Sequence, residues 1–113
     1  MTEALRIDTG YLPVDIWLVR TLEEWRGLTE DGWPDFSAKG FTATILNKEG
    51  KQAVALYIDR KAHKTKSDFA MTVVHECVHV FQHVCTIISE DRPSGEFEAY
   101  SIMHYFGQVM EAA

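Results

Sequence analysis

The chain has 113 residues, is 46% hydrophobic and 25% charged, and carries a formal net charge of −6. That length supports one domain (1–113) around one core, and the apolar content excludes a globally disordered chain. The acidic balance, with no Lys/Arg cluster beyond Arg60 to Lys66, argues against nucleic acid as a partner, and no apolar run approaches the roughly 20 residues that a membrane span needs.

Met1 to Arg6 lacks a basic segment followed by an apolar one, so the expectation is a cytoplasmic protein without a signal peptide. Val14-Asp15-Ile16-Trp17-Leu18-Val19, after Pro13, predicts a short strand. Thr21-Leu22-Glu23-Glu24 fits a capping box and opens a short helix through about Arg26. Gly27, Gly32, Pro34 and Gly40 mark a loop over 27–40, and its apolar group Trp33, Pro34 and Phe36 reads as a loop folded onto the core rather than a substrate lid. Phe41 to Leu46 and Gln52 to Asp59 predict two strands joined by the hairpin turn Asn47-Lys48-Glu49-Gly50. Thr65-Lys66-Ser67-Asp68 is a second capping box, opening a helix that runs to about Ile88. Pro93 and Gly95 end a connection from Ser89, and a last helix spans about Gly95 to Met110. The order predicts an α+β domain, a small antiparallel sheet packed against the long helix and the C-terminal one. Cys77 and Cys85 lie on the same helix about 12 Å apart, too far for a disulfide, and read as buried free thiols.

The long helix carries His75-Glu76-Cys77-Val78-His79, an HExxH pattern. Histidines four apart stack on one helix face, where both rings can reach one metal, and the adjacent glutamate can take a proton from a metal-bound water. The pattern is short enough to arise by chance, so its setting matters. At about 100° per residue from His75, His79, His83 and Glu76 fall between about 0° and 100°, while Met71, Val74, Val78, Phe81 and Cys85 fall between about −40° and −120°. The His/Glu group is thus expected to form a polar stripe beside an apolar face.

Catalytic zinc takes three protein ligands and keeps one position open. Gln82 and Cys85 break the metzincin continuation of HExxH, and a resemblance to gluzincins instead implies a glutamate from the following helix. Glu96 and Glu98 lie about 200° apart on that helix, so only one of them can face the metal. Glu98 is preferred because Ala99 beside it permits close helix approach, whereas the helix dipole alone accounts for Glu96.

HExxH followed by Glu98-Ala99 resembles the gluzincin branch of zincin metallopeptidases, especially the minigluzincins and the ImmA/IrrE-like peptidases, which often show the HExxHxxxH spacing of His75, His79 and His83. The resemblance covers roughly residues 52–110. It implies a minimal zincin-like fold, Zn2+ held by His75, His79 and Glu98, and Glu76 as general base. It further implies a peptide or protein substrate laid along an edge strand, by analogy Gln52 to Asp59. A helix-turn-helix, often present beside ImmA/IrrE-like domains, is not found, and a free-standing zincin this short is similar to small phage products. The donor that stabilises the oxyanion has five candidates, Tyr57, His63, Tyr100, His104 and Tyr105. Tyr105 is favoured because it lies two turns after Glu98 on the same face.

Three functions are consistent with these residues: a zinc metallopeptidase, a non-catalytic zincin-fold module that binds a protein partner, and a structural metal site. Glu76 argues against the third, because metal binding alone needs no carboxylate there.

Overall fold

Gln52-Ala53-Val54-Ala55-Leu56-Tyr57-Ile58 alternates large aliphatic side chains with small or aromatic ones, and the alternation decides what covers each face of the sheet. The computed structural model describes residues 3–32, 34 and 38–113. Their elements are β1 (Leu5–Ile7), β2 (Ile16–Val19), α1 (Leu22–Leu28), β3 (Gly40–Leu46), β4 (Gln52–Ile58), α2 (Lys66–Ile87) and α3 (Gly95–Ala112), with a 3-10 turn at Arg60–Ala62. Val54, Leu56 and Ile58 join Ile16 and Leu18 of β2 in the main core under α2 and α3. Ala53 and Ala55 join Val19, Trp25 and Ile45 in a smaller core on the opposite face, where α1 packs. The fold is the expected α+β arrangement. Trp33 and Phe36 of the expected apolar loop group lie outside the described residues.

The sheet order is β1-β2-β4-β3. β1 pairs antiparallel with β2, β3 pairs antiparallel with β4, and β2 runs parallel to β4. The sheet is therefore mixed rather than purely antiparallel, because the chain crosses over through α1 before it returns beside β2. This order also corrects the edge strand. Gln52–Ile58 is interior, buried on both faces from Ala53 to Ile58. Its near-continuous apolar run accords with cover on both sides. The open edge next to the long helix belongs to β3, whose Thr42 and Thr44 give it the polar content of an edge.

α2 starts at the expected place. The Thr65 side chain caps it by accepting from the Asp68 N–H at 3.0 Å. Its buried residues are Phe69, Val73, Cys77, Val80, Phe81, Val84 and Cys85, together with Glu76. The buried arc thus centres opposite His75, not at the position expected from Met71 and Val74, which are 66% and 41% exposed. Two layers compete for the helix: the sheet takes the valine ridge, and α3 takes only the flank with Phe81 and Cys85. Phe81 meets Phe97 of α3 edge-to-face at 5.3 Å. Each valine buried there contributes about 1.5–3 kcal/mol. Among the described residues no helix is long and apolar enough to cross a membrane.

β3 approaches α2 closely because Gly40 has no side chain. A Cβ there would meet the Tyr57 carbonyl oxygen at 2.9 Å, Ile58 Cδ1 at 3.1 Å and Glu76 Cγ at 3.3 Å. Gly40→Ala is expected to destabilise the fold by about 1–3 kcal/mol through overpacking. Urea denaturation checks this, and an unchanged midpoint would show that the strand can retreat from the helix without cost.

Candidate functional site

α2 presents Asp68, Thr72, His75, Glu76, His79 and His83 along one stripe, and β3 runs beside it. The two motif histidines converge, with His75 Nε2 and His79 Nε2 3.2 Å apart and the rings nearly perpendicular. Two imidazole ligands at tetrahedral positions, 2.0–2.1 Å from one zinc, stand about 3.3–3.4 Å apart, so the pair fits that ion. The Gln82 carboxamide helps to set the tautomer. Its Oε1 lies 2.8 Å from His79 Nδ1 and can only accept, so Nδ1 carries the proton and Nε2 keeps its lone pair. Without a metal the same spacing admits one N–H···N hydrogen bond from His75 to His79.

Glu76 lies at the β3 side of the stripe and is 7% exposed. Thr42 Oγ1 donates to Glu76 Oε1 at 2.8 Å and lies 3.2 Å from the Glu76 carbonyl oxygen. One strand hydroxyl thus holds the carboxylate beside the histidine pair. One turn beyond His79, Thr44 Oγ1 and His83 Nδ1 are 2.6 Å apart. Burial, reinforced by His79, holds the His83 imidazole below its usual range, so this ring stays neutral as a strand-to-helix tie rather than a free surface histidine.

The free edge of β3 faces this stripe. The Leu46 N–H donates to Asp31 and its carbonyl accepts from Thr29, both away from β4, whereas the Lys39 carbonyl accepts from the Asp59 N–H on the β4 side. Backbone groups alternate along a strand, so Thr44, Thr42 and Gly40 turn theirs outward. Among the described residues no strand pairs with that edge.

The expected third ligand is not gathered to the pair. Among the described residues no group of three or more His, Cys, Asp or Glu is placed to hold a metal. Glu98 is exposed in the first turn of α3. Burial raises the Cys85 thiol, and Glu90 and Glu98 add to the rise. Tyr105, two turns on, is buried in the core. By helix periodicity Glu98 shares the face of α3 that carries Tyr105, with Glu96 opposite.

Tyr105 itself is a correction. It is 2% exposed, packed in the main core, and burial raises its phenol. A side chain enclosed there cannot meet an oxyanion on the solvent side of His75 and His79, and its spacing from Glu98 reported helix periodicity only. Tyr57 stacks on Phe41 at 5.2 Å, on the sheet face away from α2. Tyr100 is exposed, and His104 sits 3.9 Å from Asp8. Of the five candidates only His63 touches the site. It bridges the Asp59 carbonyl at 2.7 Å and Thr72 Oγ1 at 2.8 Å, and Thr72 lines the cleft beside His75. Both cysteines are free and buried as expected, and burial, then Glu76, pushes the Cys77 thiol up to about 12.

Sequence reasoning missed Thr42, Gly40 and Gln82. The alternation Gly40-Phe41-Thr42-Ala43-Thr44 was the available signal, since it sets small and polar side chains on one face of a strand. Comparison with protein-family models, with curated proteins and with solved structures found no match.

Removal of the Thr42 hydroxyl leaves a buried carboxylate oxygen without its donor. Thr42→Val is expected to cost about 1–3 kcal/mol, with Thr42→Ser retaining most of the stability. Equal denaturation midpoints for Thr42→Val and the parent would show that water replaces the hydroxyl.

Proposed function

We propose that this chain is a zinc-dependent metallopeptidase of the gluzincin kind, with His75, His79 and Glu98 as metal ligands and Glu76 as the group that moves the proton. The observation that carries the reading is the 3.2 Å convergence of the His75 and His79 Nε2 atoms with a strand-held carboxylate at the next residue. When bound, zinc would polarise a peptide carbonyl and lower the pKa of its water to about 7. Thr42 engages Glu76 Oε1, which leaves Oε2 to accept a proton and deliver it to the leaving nitrogen. Gln82 holds His79 in the tautomer that binds metal. The outward backbone groups of Gly40, Thr42 and Thr44 can pair with an extended peptide and hold its scissile bond over the histidines.

The clamp on Glu76 favours the catalytic reading over a binding-only zincin module. Burying a carboxylate is costly, and neither ligation by the histidines nor partner binding requires one at that position. Two buried free thiols suit a reducing compartment, in keeping with a cytoplasmic protein.

Purified protein is expected to hold one zinc per chain, measured by elemental analysis. His75→Ala or His79→Ala should weaken zinc binding by more than about 100-fold. Glu76→Gln should keep the metal and slow peptide hydrolysis by about 100- to 10,000-fold. Zinc content below about a tenth of an ion per chain after zinc addition would remove the metalloenzyme reading.

Glu98→Ala should lower zinc affinity in calorimetric titration, while Glu96→Ala leaves it unchanged, because the two carboxylates leave the helix on opposite sides. A loss confined to Glu96→Ala would move the third ligand by two residues.

A further inference from the structure

The cleft beside the histidines has a cationic end. Lys39, just before β3, and Gly40 at its start form one wall, and Asp68, Thr72 and His75 of α2 form the other. Among the described residues lining this cleft, Lys39 is the one lysine or arginine. Its ammonium lies 3.5 Å from Asp68 Oδ2, and the side chain is 55% exposed. That loose contact orients the side chain and leaves N–H donors to spare. Asp68 is itself fixed by the Lys64 backbone N–H at 3.3 Å, which together with Lys39 holds its carboxyl below the usual range. Lys61 and Lys64 are exposed in the turn leading into α2, and Lys66 is exposed at its first position. With Lys39 they make four of the chain's 11 Lys and Arg residues, in a protein of net charge −6.

Strand and helix give this end a direction. Thr42 is level with Glu76 and Thr44 with His83, so β3 and α2 run the same way. Antiparallel pairing is the more stable mode for an added strand. A peptide laid antiparallel on β3 enters over His83 and leaves past Gly40 toward Lys39. Asp68, where the ammonium rests, lies seven residues before His75, about 10 Å along the helix. An extended peptide advances about 3.3 Å per residue, so Lys39 meets it within about three residues of the bond over the histidines.

We propose that Lys39 takes a carboxylate carried by the substrate one to three residues on the C-terminal side of the scissile bond. The inference rests on the peptidase reading and names its substrate class: peptides cut near a free C-terminus or just before an acidic residue.

The test uses mixed-sequence octapeptides in three forms: free C-terminal acid, C-terminal amide, and amide with Glu at the penultimate position. Binding to the zinc-free chain is followed by NMR shifts of the Lys39, Gly40 and Asp68 backbone amides, and cleavage by the zinc-loaded chain is followed by mass spectrometry of the products. The acid form should bind about tenfold more tightly than the plain amide, with cuts close to its C-terminus. Lys39→Gln should erase the preference and Lys39→Arg keep it. A Glu-amide that matches the acid identifies a side-chain carboxylate as sufficient, and one that matches the plain amide identifies the chain terminus. Equal affinity for acid and amide, no shift with any form, or an unchanged preference in Lys39→Gln overturns the proposal. Cleavage without acid preference removes this inference and keeps the peptidase, whereas acid preference without cleavage keeps the carboxylate site and removes the peptidase.

Discussion

Everything at the site depends on how closely β3 can lie against α2, and that approach is set where Gly40 and Thr42 meet Glu76. An ionisable carboxylate shut away from water costs several kcal/mol unless a donor reaches it. Thr42 supplies the donor at 2.8 Å, and the bare Cα of Gly40 supplies the room. A bulkier residue at 40 would push the strand out, and an apolar residue at 42 would leave the carboxylate without its partner. With both in place, Glu76 is turned to the strand while His75 and His79, further around the helix, remain open to solvent. One helix thereby separates the histidine pair from the Glu76 carboxylate by less than a third of a turn, with each held by different neighbours.

The mixed sheet is what puts an open edge beside this helix. Parallel pairing of β2 with β4 makes β4 interior, buried from Ala53 to Ile58, and leaves β3 outermost. The ties from Thr42 to Glu76 and from Thr44 to His83 hold that edge level with the HExxH stripe over two turns. On the other flank, Phe97 against Phe81 and Tyr105 in the core fix α3 to α2. The same packing that buries Tyr105 holds the first turn of α3, which carries Glu98, beside α2 through Phe97. Between the two helices Met71, Val74, Ala99, Ile102 and Met103 line an apolar groove, and Met71 also borders the cleft of His75 and Glu76. The site therefore has an apolar side and a charged end, both set by α2.

The local geometry was legible in the sequence. The two Thr capping boxes, the Asn47 to Gly50 hairpin and the HExxH spacing each depend on residues within a few positions of one another, and each formed where the residues dictated. The thiols were also legible, because two cysteines on one helix eight residues apart cannot meet. So was the α+β order of elements from β2 onward, since helix and strand periodicities differ, whereas the three-residue β1 is too short to show a period. Strand partners, helix faces and side-chain neighbours across the fold were not. A run such as Ala53 to Ile58 reads as strand in either an edge or a central position, and only its pairing with both β2 and β3 decides. Met71 and Val74 look like core by angle, but the sheet and α3 together need less than the whole apolar surface of α2. Tyr105 and Glu98 share a face on any helix, and the packing partner determines which of them is buried. Residues 75–79 by themselves determined that two imidazoles can converge and a carboxylate can stand beside them. Tertiary structure decided that Thr42 holds that carboxylate and that Lys39 closes one end of the cleft, because those partners are more than thirty residues away and only long-range packing of β3 on α2 brings them together.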